Sequence, residues 1–203
     1  MSTKQKTNLA LLGLLSWKPM SGYDIKKLVD IGLSHFWNEN YGQIYPTLNR
    51  LVEDGYAKKK VDSSSGKRKR NIYSITKKGE DKFRDWISLP SSPPSVRNEL
   101  QLKFFLSGKL PVATSRKIIR AYRQQQKAVL DEYMDSEKIL REAIANDAYP
   151  EEVRQIFEGQ PEPLNRKKRA KQCGVFMLTL RHGILAIEGR LKWCDEVMEY
   201  LGR

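Results

Sequence analysis

The residues that most constrain the fold stand at the end of the chain. Cys173, Met177, Leu180, Ile184, Ile187, Leu191, Cys194, Met198 and Leu201 follow one another at alternating steps of four and three. Such steps put them on one stripe of an α-helix, the a/d seam of a coiled coil over four heptads. A stripe of nine apolar side chains has to be buried against another helix. The expected helix runs from about Leu164 to Leu201. A second long helix, Val112 to about Asn146, offers Ile118, Tyr122, Val129, Tyr133, Leu140 and Ile144 near heptad spacing. Val175, Leu178 and Leu185 widen the stripe beyond what one helix covers. The expected dimer interface is therefore Met177, Leu180, Ile184, Ile187, Leu191, Cys194 and Met198, with the long helix on one flank and a partner chain on the rest.

The chain ahead of this seam divides in two. Leu89-Pro-Ser-Ser-Pro-Pro-Ser95 holds three Pro and three Ser in seven residues, the composition of a linker. Residues 91–203 then read as an all-helical dimerisation and effector domain, with a short helix Arg97–Ser107 stopped by Gly108 and a break from Tyr149 to Pro163 holding a further short helix. Residues 1–90 read as a smaller domain. Thr7–Ser16 is expected to be an amphipathic helix with Leu9, Leu12 and Leu15 on one face. Ser21 caps a second helix, with Asp24 closing a capping box, and carries Tyr23, Ile25, Leu28 and Val29 before Ile31-Gly32 ends it. Asn40 caps a third helix built on Ile44, Leu48, Leu51 and Val52 and stopped by Gly55. Pro46 removes a backbone donor within it, so the helix either starts late or has irregular first turns. Tyr56–Asp62 and Arg70–Ile75 are two strands joined by a Ser- and Gly-containing turn, a β-hairpin. Thr76 caps a fourth helix to about Ser88, with Phe83, Trp86 and Ile87 inward.

Helix, helix, helix, hairpin, helix is the order of a winged helix-turn-helix, in which the third helix enters the DNA major groove and the hairpin is the wing. The fold class is mainly α with a small β wing, plus an all-helical C-terminal domain. Charge agrees with the order. The chain carries 37 Lys and Arg against 24 Asp and Glu, a net +13, and such an excess calls for a polyanionic partner. Residues 1–90 hold 17 basic and 9 acidic side chains, and residues 91–203 hold 20 and 15, so the excess is denser in the first domain. Lys58, Lys59, Lys60, Lys67, Arg68, Lys69 and Arg70 stand on the hairpin against the single acid Asp62. Phosphate neutralisation explains that density and hairpin stability does not. On the third helix Gln43, Tyr45, Thr47, Asn49 and Arg50 can hydrogen-bond, Gln and Asn to adenine, Arg to guanine or phosphate. Lys26, on the second helix, joins the candidate DNA contacts, as do Tyr23, Lys60 and the tip cations.

Other chemistry finds little support. There is no Gly-rich phosphate loop, no Gly-x-Ser-x-Gly and no His-Glu-x-x-His, so no enzyme is expected. His35 and His182 are the only histidines, 147 positions apart, so neither a metal nor a cofactor is expected. Cys173 and Cys194 lie about 31 Å apart along one helix at 1.5 Å per residue, too far to bond within it, and are expected to be buried thiols. Lys4 and Lys6 ahead of Leu9–Leu15 imitate a signal peptide. The run is too short to span a bilayer and no small-residue cleavage site follows, so a cytoplasmic protein without a membrane partner is expected. Arg166-Lys-Lys-Arg-Ala-Lys171 opposes the dipole of the helix it begins, and reads first as a solvated face, with an auxiliary DNA contact and a part of the dimer surface as the alternatives.

Met20-Ser-Gly-Tyr-Asp24, Phe36-Trp37, Gly42-Gln-Ile-Tyr-Pro-Thr-Leu48, Arg50-Leu51, Asp54-Gly55, Tyr73, Thr76 and Gly79 resemble the PadR family of bacterial transcriptional regulators. Arg97, Glu99 and Leu102-Lys-Phe-Phe105 extend the resemblance into the subfamily with a large helical C-terminal domain, over nearly the whole chain. The resemblance implies a homodimeric repressor on a pseudo-palindromic operator of double-stranded DNA, with positions matching Tyr23, Gln43, Tyr45 and the wing cations on the DNA. Some members of the family release DNA when a small aromatic effector binds, and no motif in this chain carries that ligand over. A nonspecific nucleoid-type DNA binder and a winged-helix protein-interaction module are the alternatives that charge and fold leave open.

Overall fold

The computed structural model describes residues 3–33, 36–37, 41–62, 69–91, 97–157 and 166–202. It divides into two compact units, Met1–Ser92 and Pro93–Arg203.

The first unit is built around α1 (Thr3–Leu15). Leu9, Leu11, Leu12, Leu14 and Leu15 are all buried, so this helix is enclosed on more than the single face its spacing suggested. Met20–Ser21 form a short strand β1, and Ser21 also caps α2 (Gly22–Leu28), which runs on into a π-helical turn, Val29–Leu33. The third helix, α3, spans Tyr41–Glu53 and passes through Pro46. Pro46 thus sits inside the helix, and the carbonyl of Gly42 loses its usual donor there. Gly55 ends α3 at φ +74°. The Tyr56 amide donates to the Leu51 carbonyl (2.8 Å) and the Gly55 amide to that of Val52 (3.0 Å), a Schellman stop.

Strands β2 (Ala57–Asp62) and β3 (Arg70–Ile75) form the hairpin, and β1 adds to its other edge in the order β1-β3-β2, all antiparallel. Lys60 faces Ile72 across the ladder and Asp62 faces Arg70. β1 was not expected, because two residues are too few to show an alternation. Thr76 then caps α4 (Lys77–Ile87), accepting from the Gly79 amide at 3.2 Å. Phe83 of α4 packs into α1 at Gly13, where a Cβ would meet the ring at 2.8 Å. Phe83 and Trp86 are half-buried, but Ile87 is exposed, contrary to expectation, because it lies on the last residue of the helix.

In the second unit Asn98 caps α5 (Glu99–Phe105), a 3-10 turn follows at Ser107–Lys109, and α6 (Val112–Ala145), α7 (Glu151–Phe157) and α8 (Arg166–Tyr200) complete it. α6 and α8 form an antiparallel hairpin of long helices. The Arg123 Nε donates to Asp195 at 2.7 Å, Arg190 to Gln126 at 3.2 Å, and Gly183 lies under the Tyr133 ring, so residue numbers rise on one helix as they fall on the other. Cys173, Leu180, Ile184, Ile187 and Cys194 of the seam are buried, while Met177, Leu191, Met198 and Leu201 are half-buried. The cover comes from α6 of the same chain: Tyr133 closes on Leu180, Ile184 and Ile187, and Ile119 on Cys194 and Val197. On α6 the buried positions are Ser115, Ile119, Tyr133, Glu137, Leu140 and Ala143. Ile119 rather than Ile118 therefore points inward, and Ile144 is exposed where Ala143 is buried. Burial pushes both thiols above their ordinary value.

The α6–α7 turn is another Schellman stop. Asp147 takes the left-handed position at φ +54°, and the Ala148 amide donates to the Ala143 carbonyl at 2.8 Å. Asp147 holds Arg166 at 2.7 Å and Arg169 at 3.4 Å. Two cations of the basic cluster are thus held by this turn, and Lys167, Lys168 and Lys171 stay exposed. Among the described residues no helix is long and apolar enough to cross a membrane.

Candidate DNA-binding site

The core side of α3 is settled by Ile44, Leu48 and Leu51, all fully buried. Helical periodicity then turns Gln43, Tyr45, Asn49 and Arg50 outward, and all four are exposed. Thr47 falls on the core side beside Leu48, with only 7% of its surface accessible, and is removed from the candidate contacts. Its position three residues after Ile44 places it there, whatever its polarity.

α2 presents Tyr23, 58% exposed, from its first turn. That turn is held by a complete capping box: the Asp24 amide donates to Ser21 Oγ at 3.2 Å, and the Ser21 amide donates to Asp24 Oδ2 at 3.1 Å. Lys26 does not face solvent as a candidate contact should. Its side chain is 16% exposed and is paired with Asp30 one turn along the helix. Helix α2 therefore contributes Tyr23, not Lys26.

The ring of Tyr45 rests on Gly22, the first residue of α2. It also lies close to Tyr73 of β3, whose phenol is raised above its usual value by burial first and by Tyr45 second. In the wing, Lys58, Lys59, Lys60, Lys69 and Arg70 are all exposed, and Asp62 is half-buried opposite Arg70. Lys67 and Arg68 lie outside the described residues, as do His35 and Asn40. Lys78 and Lys82, one turn apart on α4, are used differently: their ammonium groups stand 4.6 and 4.8 Å from the centre of the Tyr56 ring. The first unit thus exposes four hydrogen-bonding side chains of α3, Tyr23 of α2 and five wing cations, donors suited to base edges and charges suited to phosphates. Gly22 was not among the expected site residues. Its signal was a glycine at the start of a helix, where the backbone does not require one.

The second unit holds an apolar cleft of about 530 Å³ between α5, the following turn and the end of α8. Phe104, Phe105, Trp193 and Tyr200 line it, with Phe104 edge-on to Trp193 at 5.7 Å between ring centres. Ser115, 4% exposed, is a polar residue in its wall.

Residues 11–85 match the transcriptional regulator PadR-like family, and residues 96–202 match the virulence activator alpha C-terminal family. A negative transcriptional regulator, PadR of Bacillus subtilis, is 29% identical over 136 residues, 66% of this chain and 75% of that protein. The crystal structure of Bacillus subtilis PadR in complex with operator DNA superposes with a TM-score of 0.73 at 20% identity, covering 96% of this chain and 98% of that one. The structure of the same protein with p-coumaric acid gives a TM-score of 0.67 at 19% identity, covering 97% and 98%. At these identities the two superpositions show a common fold.

Proposed function

The chain belongs to the PadR-like family of transcriptional regulators, with a C-terminal half of the virulence activator alpha type, and from that premise we propose that it is a homodimeric repressor of a two-fold operator. The observation that carries this reading is the outward face of α3, where Gln43, Tyr45, Asn49 and Arg50 stand exposed in the same unit as the exposed wing cations. In this reading α3 lies in the major groove, Tyr23 flanks it from α2, and Lys60, Lys67, Arg68, Lys69 and Arg70 neutralise the phosphates beside it. The smaller domain, residues 1–90, reads DNA, and residues 91–203 pair the two copies. The chain acts by binding and not by catalysis, in the cytoplasm, where bacterial DNA is. Its exposed apolar stripe, Val175, Leu178 and Leu185 on α8, supplies the dimer contact beside the seam that α6 already covers.

The likeness to a protein solved with p-coumaric acid supports a small aromatic effector for this chain as well. The cleft at Phe104, Phe105, Trp193 and Tyr200 has the apolar, ring-lined walls such a molecule needs, and Ser115 offers it one hydrogen bond.

Competition gel shifts test the central reading. The chain's own promoter should outcompete random DNA by roughly 10³-fold or more. Equal competition leaves a nonspecific DNA binder, and no shift leaves a protein-interaction module.

A further inference from the structure

Gly22 is buried at the first position of α2, directly after the Ser21 cap. A glycine is not needed there for its backbone: among the described glycines only Gly55 takes a positive φ. What requires it is space. A Cβ on Gly22 would lie 2.6 Å from Cε1 of Tyr45, 2.8 Å from Cζ and 3.2 Å from Cδ1. The ring of Tyr45 therefore lies flat against the glycine backbone, where any other residue would put an atom.

Neither side can readily give way. Ser21 is held twice, by the capping box with Asp24 and by its place opposite Ile72 in the β1–β3 ladder. Gly22 cannot retreat without breaking one of these. Tyr45 is fixed from its own side by the fully buried Ile44 and Leu48 on the inner face of α3, and Tyr73 stands close to it. Yet the residue is 39% exposed, so part of it remains on the recognition face.

We propose that Gly22 is the seat of Tyr45, a positioning residue that sets the orientation in which α3 presents this side chain to DNA. The inference rests on the reading of Tyr45 as an operator contact. The missing Cβ lets the ring lie down on α2. Adding the Cβ swings the ring out, and the hydroxyl leaves the place from which it meets the operator. The specificity of α3 is thereby set in part by α2, from a residue that itself touches no DNA.

A double-mutant cycle between Gly22→Ala and Tyr45→Ala tests this, read by operator affinity, by the slope of log K on log salt, and by urea unfolding. Alone, Gly22→Ala should weaken operator binding at least tenfold with an unchanged salt slope, since no phosphate contact is lost. In the Tyr45→Ala background the same change should cost less than twofold, because the Cβ then has room. Equal losses in both backgrounds, or none with the tyrosine present, overturn the seat while leaving Tyr45 as a contact. Operator affinity unmoved by Tyr45→Ala overturns the contact itself, and the proposal with it. Should Gly22→Ala alone not fold, the double variant must fold and bind as Tyr45→Ala does, and its failure to fold overturns the proposal.

Discussion

Gly79 lies directly beneath the carbonyl of Tyr56: a Cβ on it would stand 2.2 Å from that oxygen. The same carbonyl accepts from the Thr76 amide at 3.0 Å, and the Thr76 hydroxyl donates to the Gly55 carbonyl at 2.8 Å. Thr76 thus joins the stop of α3, the end of β3 and the start of α4, and Gly79 lets these approach. Gly79→Ala forces backbone apart and should cost about 1–3 kcal/mol or more by urea unfolding. Gly55→Ala meets nothing within 4 Å and pays only for its left-handed φ, about 1–2 kcal/mol. A smaller loss at Gly79 than at Gly55 would contradict this packing.

Glu137 carries a charge into the α6–α8 interface. Its carboxylate is 6% exposed and holds Arg141 at 2.6 Å and Arg181 at 3.7 Å. Replacing it with Met should be near neutral or mildly stabilising, because the side chains of Arg141 and Arg181 are 66% and 39% exposed and water can solvate the charges left behind. Replacing both arginines with Met strands the carboxylate and should cost about 3 kcal/mol or more. Thermal unfolding of the two variants gives the order, and the reverse order would show the arginines to be the strained partners.

Where the chemistry is local, the sequence was legible. Ser21 with Asp24, Thr76, Gly55 and the bounds of β3 are each decided by neighbours within a turn, and the structure has them as expected. The α8 seam was legible because every residue in it is apolar. Its partner helix was legible through Tyr133 and Leu140, but not the whole of its inner face, which includes Ser115 and Glu137 that a search for apolar spacing passes over, and the pattern slipped from Ile119 to Ile118. Thr47 and Lys26 mislead in the opposite way, polar residues whose environment is set by their turn of helix and by Asp30. The seat of Tyr45 on Gly22 was out of reach, since it depends on two helices meeting.

Tyr149 makes the second unit sensitive to alkali. Its hydroxyl donates to Gln172 at 2.6 Å, its ring stacks on Phe157 at 5.2 Å, and burial pushes its phenol up to about 12. The unfolded chain releases this proton near pH 10. Between these values the folded state binds more protons, so stability is full below about 10 and falls as pH rises toward 12. Denaturation midpoints for wild type and Tyr149→Phe should differ by a constant up to about pH 10 and converge above it. A difference that stays constant to pH 12 would mean that this phenol titrates alike in both states.

The wing and α3 should separate affinity from specificity. Lys60, Lys69 and Arg70 changed together to Ala should weaken binding to every sequence and flatten the slope of log K on log salt by about 0.9 per lost phosphate contact. Gln43→Ala should leave that slope alone and shift preference among operator variants by about 1–3 kcal/mol. Titrations at several salt concentrations decide it, and an unchanged slope in the triple variant would remove the wing from the phosphates.

Two kinds of apolar residue on α8 should fail differently. Ile184 is fully buried by α6 of its own chain, so Ile184→Asp places an unpaired charge in that core and should unfold the second unit. Leu178 and Leu185 are 72% and 57% exposed and lie seven residues apart, on one side of the helix with Val175. Leu178→Asp with Leu185→Asp leaves the α6–α8 core intact, and its unfolding midpoint should stay close to wild type. If this stripe joins two copies, the double variant should sediment as a folded monomer. Its operator affinity should then collapse, because each α3 alone reads only one half-site, and a dimer holds two of them about 34–36 Å or a multiple of that apart. A folded dimer that still binds its operator would move the interface elsewhere on the C-terminal unit. A wild-type chain that is monomeric at micromolar concentration would end the two-fold mechanism altogether.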